Sequence, residues 1–276
     1  MADAPTDQLP PVSGLRASLR VLTRNPAFAR LYAATLVSFM GDWFATVALV
    51  GRVHDLTGGS ATMVTLVIVT QLLSIAVFSP LGGHLSDRLD RRRLMITADV
   101  IRGLLALGYL LVDTPGEVWL AYVLTAGIGA LVAMFEPTTN AAVPNLVERR
   151  DLAVANVLMG AAWGTMLAVG GALGGIVAAT LGREAAFVGD ALSFAISALL
   201  IVGIRRPFSE ERAEAHPSLR EAVGETIRYA REDRRVLALL STKAGFGLAG
   251  GVIGLLPLLA LTVYDSGDQG TGVLYA

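Results

Sequence analysis

The chain has 276 residues, of which 54% are apolar and 16% charged, with 30 Gly and no Cys. A soluble domain carries about 25% charged residues, so this composition argues against an ordinary globular enzyme, and a mean hydropathy of +0.60 points to a membrane. The lack of Cys removes disulfides, thiolate metal sites and cysteine nucleophiles. The formal net charge of -1 hides a segregation of charge into blocks along the chain.

A bilayer core about 30 Å thick needs about 20 apolar residues per helix. After an N-terminal arm, 1–30, that carries Arg16, Arg20, Arg24 and Arg30, seven such stretches follow: 31–50, 61–82, 94–112, 118–135, 153–180, 185–204 and 236–263. The first is too long for the core of a cleavable leader and reads as a retained anchor. A polar segment, 205–235, separates span six from span seven; within it Ser218 and Glu221 form an S-x-x-E capping box, and Leu219, Val223, Ile227 and Ala230 recur at helical spacing. This predicts an amphipathic linker helix. From Thr271 an eighth apolar run begins and stops at Ala276.

Of the 22 basic residues, 18 lie in the arm, in the 83–93 and 136–152 loops and in the 205–235 segment. The alternate loops hold only Arg52 and Arg183, and Arg102 and Lys243 fall inside spans. Basic residues concentrate on the cytoplasmic side, which places the N-terminus inside. That orientation disfavours a seven-helix receptor or a retinal protein built on Lys243. No HExxH, GxSxG or GxxxxGK[ST] pattern occurs, and His54, His84 and His216 lie far apart, so neither a hydrolase nor an ATP motor is indicated.

Six spans, a long connection and a new set of spans is the plan of the major facilitator superfamily. The loop after span two reads Gly83-His84-Leu85-Ser86-Asp87-Arg88-Leu89-Asp90-Arg91-Arg92-Arg93. It resembles that superfamily's G-x-L-x-D-R-x-G-R-R signature, with Asp90 at the second Gly, and the resemblance makes Gly83, Asp87, Arg88, Asp90, Arg91 and Arg92 a gating loop. Gly170-Gly171-Ala172-Leu173-Gly174-Gly175 in span five resembles the G-P-x-x-G-G element of exporters, with Gly171 at the Pro position. The same four glycines are also what close helix packing needs. Further stretches are similar in order and spacing to the enterobactin exporter and macrolide efflux group: Asn25-Pro26-Ala27-Phe28, Gly41-Asp42-Trp43, Asp99-Val100-Ile101-Arg102, Pro144-Asn145-Leu146-Val147 and Asp190-Ala191-Leu192-Ser193-Phe194. The resemblance implies an all-α polytopic membrane protein: the six-helix N-terminal bundle of a major facilitator fold (31–204), the linker 205–235, and span seven with the start of span eight (236–276), a chain cut short within a twelve-span plan. An inverted repeat within the bundle is supported by Leu81-Gly82-Gly83 and Leu173-Gly174-Gly175, offset by 92 residues.

Charges inside a membrane cost about 2.5–3.5 kcal/mol each and are functional candidates by default. Asp42 lies near the centre of span one with no basic residue close to it in sequence, and is the first candidate for proton coupling. Asp99 and Arg102, three apart on one helix face, read either as a structural ion pair or as part of the coupling path. Asp190 lies in span six, nearer its outer end. The expected function is secondary active, proton-coupled efflux of an amphipathic drug or siderophore across a bacterial cytoplasmic membrane. An importer of the same superfamily and a transport-inactive fragment are the alternatives. Expected partners are a small-molecule substrate, protons and membrane lipids, without nucleic acid, cofactor, metal or catalytic residues, and with the full-length protein a monomer.

Overall fold

The computed structural model describes residues 14–208, 219–239, 241–242 and 252–276. Helix α1 (Leu15–Arg24) leads into six helices long and apolar enough to cross a membrane: α2 (Pro26–Leu56), α3 (Ala61–Arg88), α4 (Arg91–Gly108), α5 (Val118–Leu146), α6 (Leu152–Leu181) and α7 (Arg183–Val202). Local chemistry sets their ends. Pro26 starts α2 at a position whose N–H has no intrahelical partner. The Asp90 carboxylate accepts from the Arg93 N–H at 2.7 Å and caps α4. Thr114 and Glu117 form a capping box ahead of α5, and Gly182, at φ 91°, turns the chain from α6 into α7. Outward-facing Leu72, Leu73, Val77, Leu104 and Leu199 are exposed, as expected where the surrounding solvent is hydrocarbon.

The packing obeys an inverted repeat. If α2, α3 and α4 are exchanged with α5, α6 and α7, the observed pairs α3·α5 and α2·α6 map onto each other, as do α2·α7 and α4·α5, and α4·α7 maps onto itself. The offset of 92 residues marks equivalent close approaches. A Cβ at Gly82 of α3 would lie 2.0 Å from the Ala133 carbonyl oxygen of α5, and one at Gly174 of α6 would lie 3.0 Å from the Phe44 Cα of α2. Glycine at both positions lets backbones touch.

Two apolar cores occupy the two ends of the bundle. One contains Phe28, Leu31, Met95, Leu146 and Ile201, at the end where the arginines gather; the other contains Leu49, Val53, Tyr109, Val118 and Phe187, at the opposite end. Between them lies a polar layer made by the buried Asp99, Arg102, Asp190 and Ser197 and the half-buried Asp42.

The helices run further than the apolar runs suggest. Span one extends back to Pro26, and residues 15–24 of the arm are helical. Span four continues past 135 to Leu146 with Pro137 and Pro144 inside it, since a packed membrane helix has neighbours that make up for a lost backbone bond. The linker helix is present as α8 (Leu219–Glu232); Ser218 lies outside the described residues. Span seven is not one helix among the described residues. A helical stretch at 234–239 is followed, from Ile253 to Val263, by short 3-10, α and π turns around Pro257. Lys243 lies outside the described residues. The eighth run forms α9 (Gly267–Tyr275).

Candidate functional site

Arg102 is the hub of the polar layer. It is 1% exposed, and its Nη2 donates to Asp42 Oδ2 at 2.8 Å while Nη1 donates to Asp99 Oδ1 at 3.3 Å. The other Asp99 oxygen accepts from Ser197 Oγ of α7 at 2.6 Å. The guanidinium lies 4.1 Å from the Phe194 ring centre and 5.4 Å from that of Phe135, a distance at which ring faces attract a cation. Asp42 has no basic residue near it in sequence, as expected, but it has a basic partner in space: Arg102 of α4, 60 residues away. Spacing within a helix cannot show such a pair.

Asp190 is 1% exposed, and among the described residues its Oδ1 has no hydrogen-bond partner. It packs against α2 at Gly41, where a Cβ would lie 2.7 Å from Asp190 Oδ1 and 2.0 Å from Ser193 Oγ. Asp42 and Asp190 line one small cavity of about 20 Å³ together with Gln71, Tyr109 and Thr125, room for about one water molecule. The Tyr109 and Thr125 hydroxyls, both on its wall, are hydrogen-bonded to each other at 3.0 Å. The four charged residues singled out in the sequence thus share one layer of the bundle.

A larger cavity of about 470 Å³ opens between α2, α5 and α6, on the side of the polar layer toward the arginine-rich end. Its walls include Phe39, Phe135, Trp163, Asn140, Asn156 and Glu136. Glu136 did not stand out in sequence because a charge followed by Pro137 read as the start of a loop. The continuation of α5 to Leu146 carries it into the bundle.

The signature loop works largely through helix ends. Arg92 donates from Nε to the Ile201 carbonyl at 3.3 Å and from Nη2 to that of Val202, and Arg30 donates to the Gly203 carbonyl at 2.8 Å. Together they close the last carbonyls of α7 with cations, the favourable charge at a helix C-terminus. Arg91 donates to the carbonyls of Ala141 and Phe208 at 3.0 and 3.2 Å, and lies 3.9 Å from Asp87. Asp90, at φ -64°, is a helix cap, a role that asks nothing of glycine. A Cβ on Gly83 would meet nothing within 4 Å. Asn25 joins the same end together, donating to Asp151 at 2.9 Å and accepting from the Glu148 N–H at 3.3 Å.

The paired glycines of span five serve two faces of an unbroken α6. Gly170 and Gly174 face Trp43 and Phe44 of α2, whereas Gly171 and Gly175 face α9, with Cβ positions 2.7 Å from Tyr275 Cβ and 2.9 Å from Gly272 Cα. At the end opposite the arginine-rich loops, Arg183 grips Asp268 through Nε at 2.7 Å and Nη2 at 3.1 Å, and Asp55 through Nη1 at 2.7 Å. Arg52 pairs with Asp113 at 2.7 Å and with Glu184. In the sequence these two arginines figured only as the exceptions to the charge bias, with no contact assigned to them.

Residues 18–276 match the family model described as a transmembrane secretion effector, a branch of the major facilitator superfamily. The chain is 26% identical over 248 residues to the MFS-type transporter YkuC of Bacillus subtilis, covering 86% of this chain and 57% of that protein. It is 30% identical over 258 residues to BacE of Bacillus subtilis, named as a bacilysin exporter, covering 88% and 60%. Macrolide efflux protein A of Streptococcus pyogenes is 24% identical over 218 residues, covering 77% and 53%. The chain spans between half and two thirds of the length of these relatives.

Proposed function

This chain belongs to the major facilitator superfamily of membrane transporters, and we propose that it acts in the proton-coupled export of an amphipathic organic compound across a bacterial cytoplasmic membrane, with its N-terminus in the cytoplasm. The names of two relatives, an exporter and an efflux protein, favour the outward direction. In this reading α2–α7 are the N-terminal bundle of the transporter, and the 470 Å³ cavity is this bundle's share of the substrate site. The arginine-rich end then faces the cytoplasm, so substrate enters from that side.

The observation that carries the reading is the layer in which one guanidinium, that of the buried Arg102, serves a region holding three carboxyl groups, the buried Asp99 and Asp190 and the half-buried Asp42. A surplus of charge is costly inside a membrane, and the chemically simple remedy is exchange of protons with the carboxyls. Asp42 and Asp190, on the shared small cavity, are the groups placed for that exchange, and Asp99, held by Arg102 and Ser197, is the fixed counter-charge. The test is efflux of a macrolide-like amphiphile from proteoliposomes containing the protein. Efflux should accelerate under an imposed pH gradient and lose that acceleration when a protonophore collapses it; a rate indifferent to the gradient would exclude proton coupling.

A further inference from the structure

We infer that α1 is an interfacial anchor, which seats a leucine stripe among the acyl chains of the bilayer and lays three arginines on the headgroups of anionic phospholipids. The inference rests on the export reading only for placing α1 at the cytoplasmic leaflet. Helix α1 (Leu15–Arg24) carries three stripes. At about 100° per residue, Leu15, Leu19 and Leu22 fall along one line, and Arg16, Arg20 and Arg24 along a second about 130° from it. Ala17, Ser18 and Val21 make the third. Val21 turns that third stripe into the bundle: it is 2% exposed and joins the core that holds Phe28 of α2 and Ala155 of α6. The other two stripes face outward. Leu15 is 77% exposed and Leu19 53%, and all three arginines are exposed.

Asn25 fixes where these stripes point. It is 2% exposed; its Nδ2 donates to the Val21 carbonyl at 3.0 Å and to Asp151 at 2.9 Å, and its Oδ1 accepts from the Glu148 N–H at 3.3 Å. Its backbone, at φ -118° and ψ 75°, breaks the helix, so α1 does not extend the axis of α2 and is tied instead to the turn between α5 and α6. The 31 residues of α2 rise about 46 Å, close to the thickness of a bilayer with its headgroups, about 40–45 Å. Pro26 and the adjoining α1 therefore lie at headgroup level. A helix there with one apolar flank, one basic flank and no acidic residue between 14 and 24 rests in the interface with its leucines turned to hydrocarbon. The negative potential of anionic lipids attracts each arginine, and the guanidinium fork matches phosphate oxygens. A protein partner or a second copy is a poorer fit, because the two outward stripes diverge by about 130° and differ in chemistry. A bilayer surface offers hydrocarbon and anionic phosphate in adjacent layers, which serves both.

The test places a nitroxide spin label at Leu19→Cys, in a chain with no Cys of its own, and reconstitutes the protein in nanodiscs of phosphatidylcholine alone or of an equimolar mixture with phosphatidylglycerol. Collisions of the label are measured with oxygen, which concentrates in hydrocarbon, and with a neutral nickel chelate, which stays in water. In the mixed nanodiscs the label should meet oxygen and be shielded from nickel, and a label at Arg20→Cys should show the reverse. Leaving out the phosphatidylglycerol, or replacing Arg16, Arg20 and Arg24 by Gln in the Leu19→Cys chain, should raise nickel collisions at position 19 several-fold, since each arginine at an anionic surface strengthens attachment by about fivefold. Three outcomes would each overturn the inference: nickel reaching position 19 as freely as position 20 in the mixed nanodiscs, shielding of position 19 from both reagents because protein covers the stripe, or nickel collisions that respond neither to lipid charge nor to the arginines. The lipid comparison keeps all three arginines and stands whether or not the Gln variant folds. No substrate or gradient is present, so the export reading is judged separately by gradient-driven efflux.

Discussion

The guanidinium of Arg102 lies 5.4 Å from the Phe135 ring centre, and the same ring forms part of the wall of the large cavity. The charged layer and the candidate substrate space thus share a side chain. Were a bound molecule to move this ring, the surroundings of Arg102, which also holds Asp42, would change with it. Phe135→Leu keeps an apolar side chain of smaller volume and removes the ring face. With cation–π attraction worth about 0.5–2 kcal/mol, gradient-driven efflux in this variant should fall several-fold while efflux down the substrate's own gradient persists. Equal losses in both would assign Phe135 to the cavity wall alone.

Gly82 and Gly83 are adjacent in the signature region but differ in surroundings. A Cβ at Gly82 would lie 2.0 Å from the Ala133 carbonyl oxygen, whereas one at Gly83 would meet nothing within 4 Å. Gly82→Ala should therefore destabilise the bundle by about 1–3 kcal/mol, and Gly83→Ala should leave stability within about 1 kcal/mol of the wild type or raise it slightly. Thermal unfolding in detergent separates the two; equal midpoints would contradict the close α3–α5 approach.

The six spans were legible because a bilayer imposes a length on apolar runs, and the inverted repeat was legible because Gly82 and Gly174 recur where backbones must touch. Asp42, Asp99, Arg102 and Asp190 could be singled out because charge is rare inside such runs. Their partnership could not. Asp42 on α2 meets Arg102 on α4 through their side chains across the bundle, and no spacing within one helix encodes it. Glu136 was passed over for a related reason: polarity and Pro137 resemble a loop, and only packing shows that α5 continues through them. The run 236–263 was read as a single span on apolarity alone, which does not register that the described residues around Pro257 form short turns instead.

Arg183 ties three elements together at the end opposite the arginine-rich loops, gripping Asp268 of α9 and Asp55 of α2. Release of α9 from α6 and α2 requires these contacts to part. Thr271 of α9 is 1% exposed, and the chain has no Cys of its own, so Thr271→Cys gives a clean reporter. Adding Arg183→Gln should raise the rate of thiol labelling at that position by roughly an order of magnitude, the scale expected on breaking a largely buried ion pair. An unchanged rate would show that the glycine contacts alone hold α9.

The proposed orientation makes a separate prediction. Glu225 lies on α8 and Gly116 precedes α5, both exposed and at opposite ends of the topology. In intact cells a membrane-impermeant thiol reagent should label Gly116→Cys and spare Glu225→Cys, with the pattern completed when the membrane is opened. The reverse pattern would invert the topology and, with it, the assignment of the cavity to the cytoplasmic side.

Proton coupling through the Arg102 layer is tested most directly by Asp42→Asn. The amide keeps the size of the side chain and a hydrogen-bonding oxygen toward Arg102, but it can neither carry the charge nor exchange the proton. The measurement is substrate efflux from proteoliposomes with a pH gradient imposed and with the gradient collapsed. The wild type should be faster under the gradient, and Asp42→Asn should give the same slow rate in both conditions while still binding substrate. Efflux by Asp42→Asn that responds to the gradient as the wild type does would contradict the role of Asp42 and leave Asp190, on the same small cavity, to carry the exchange.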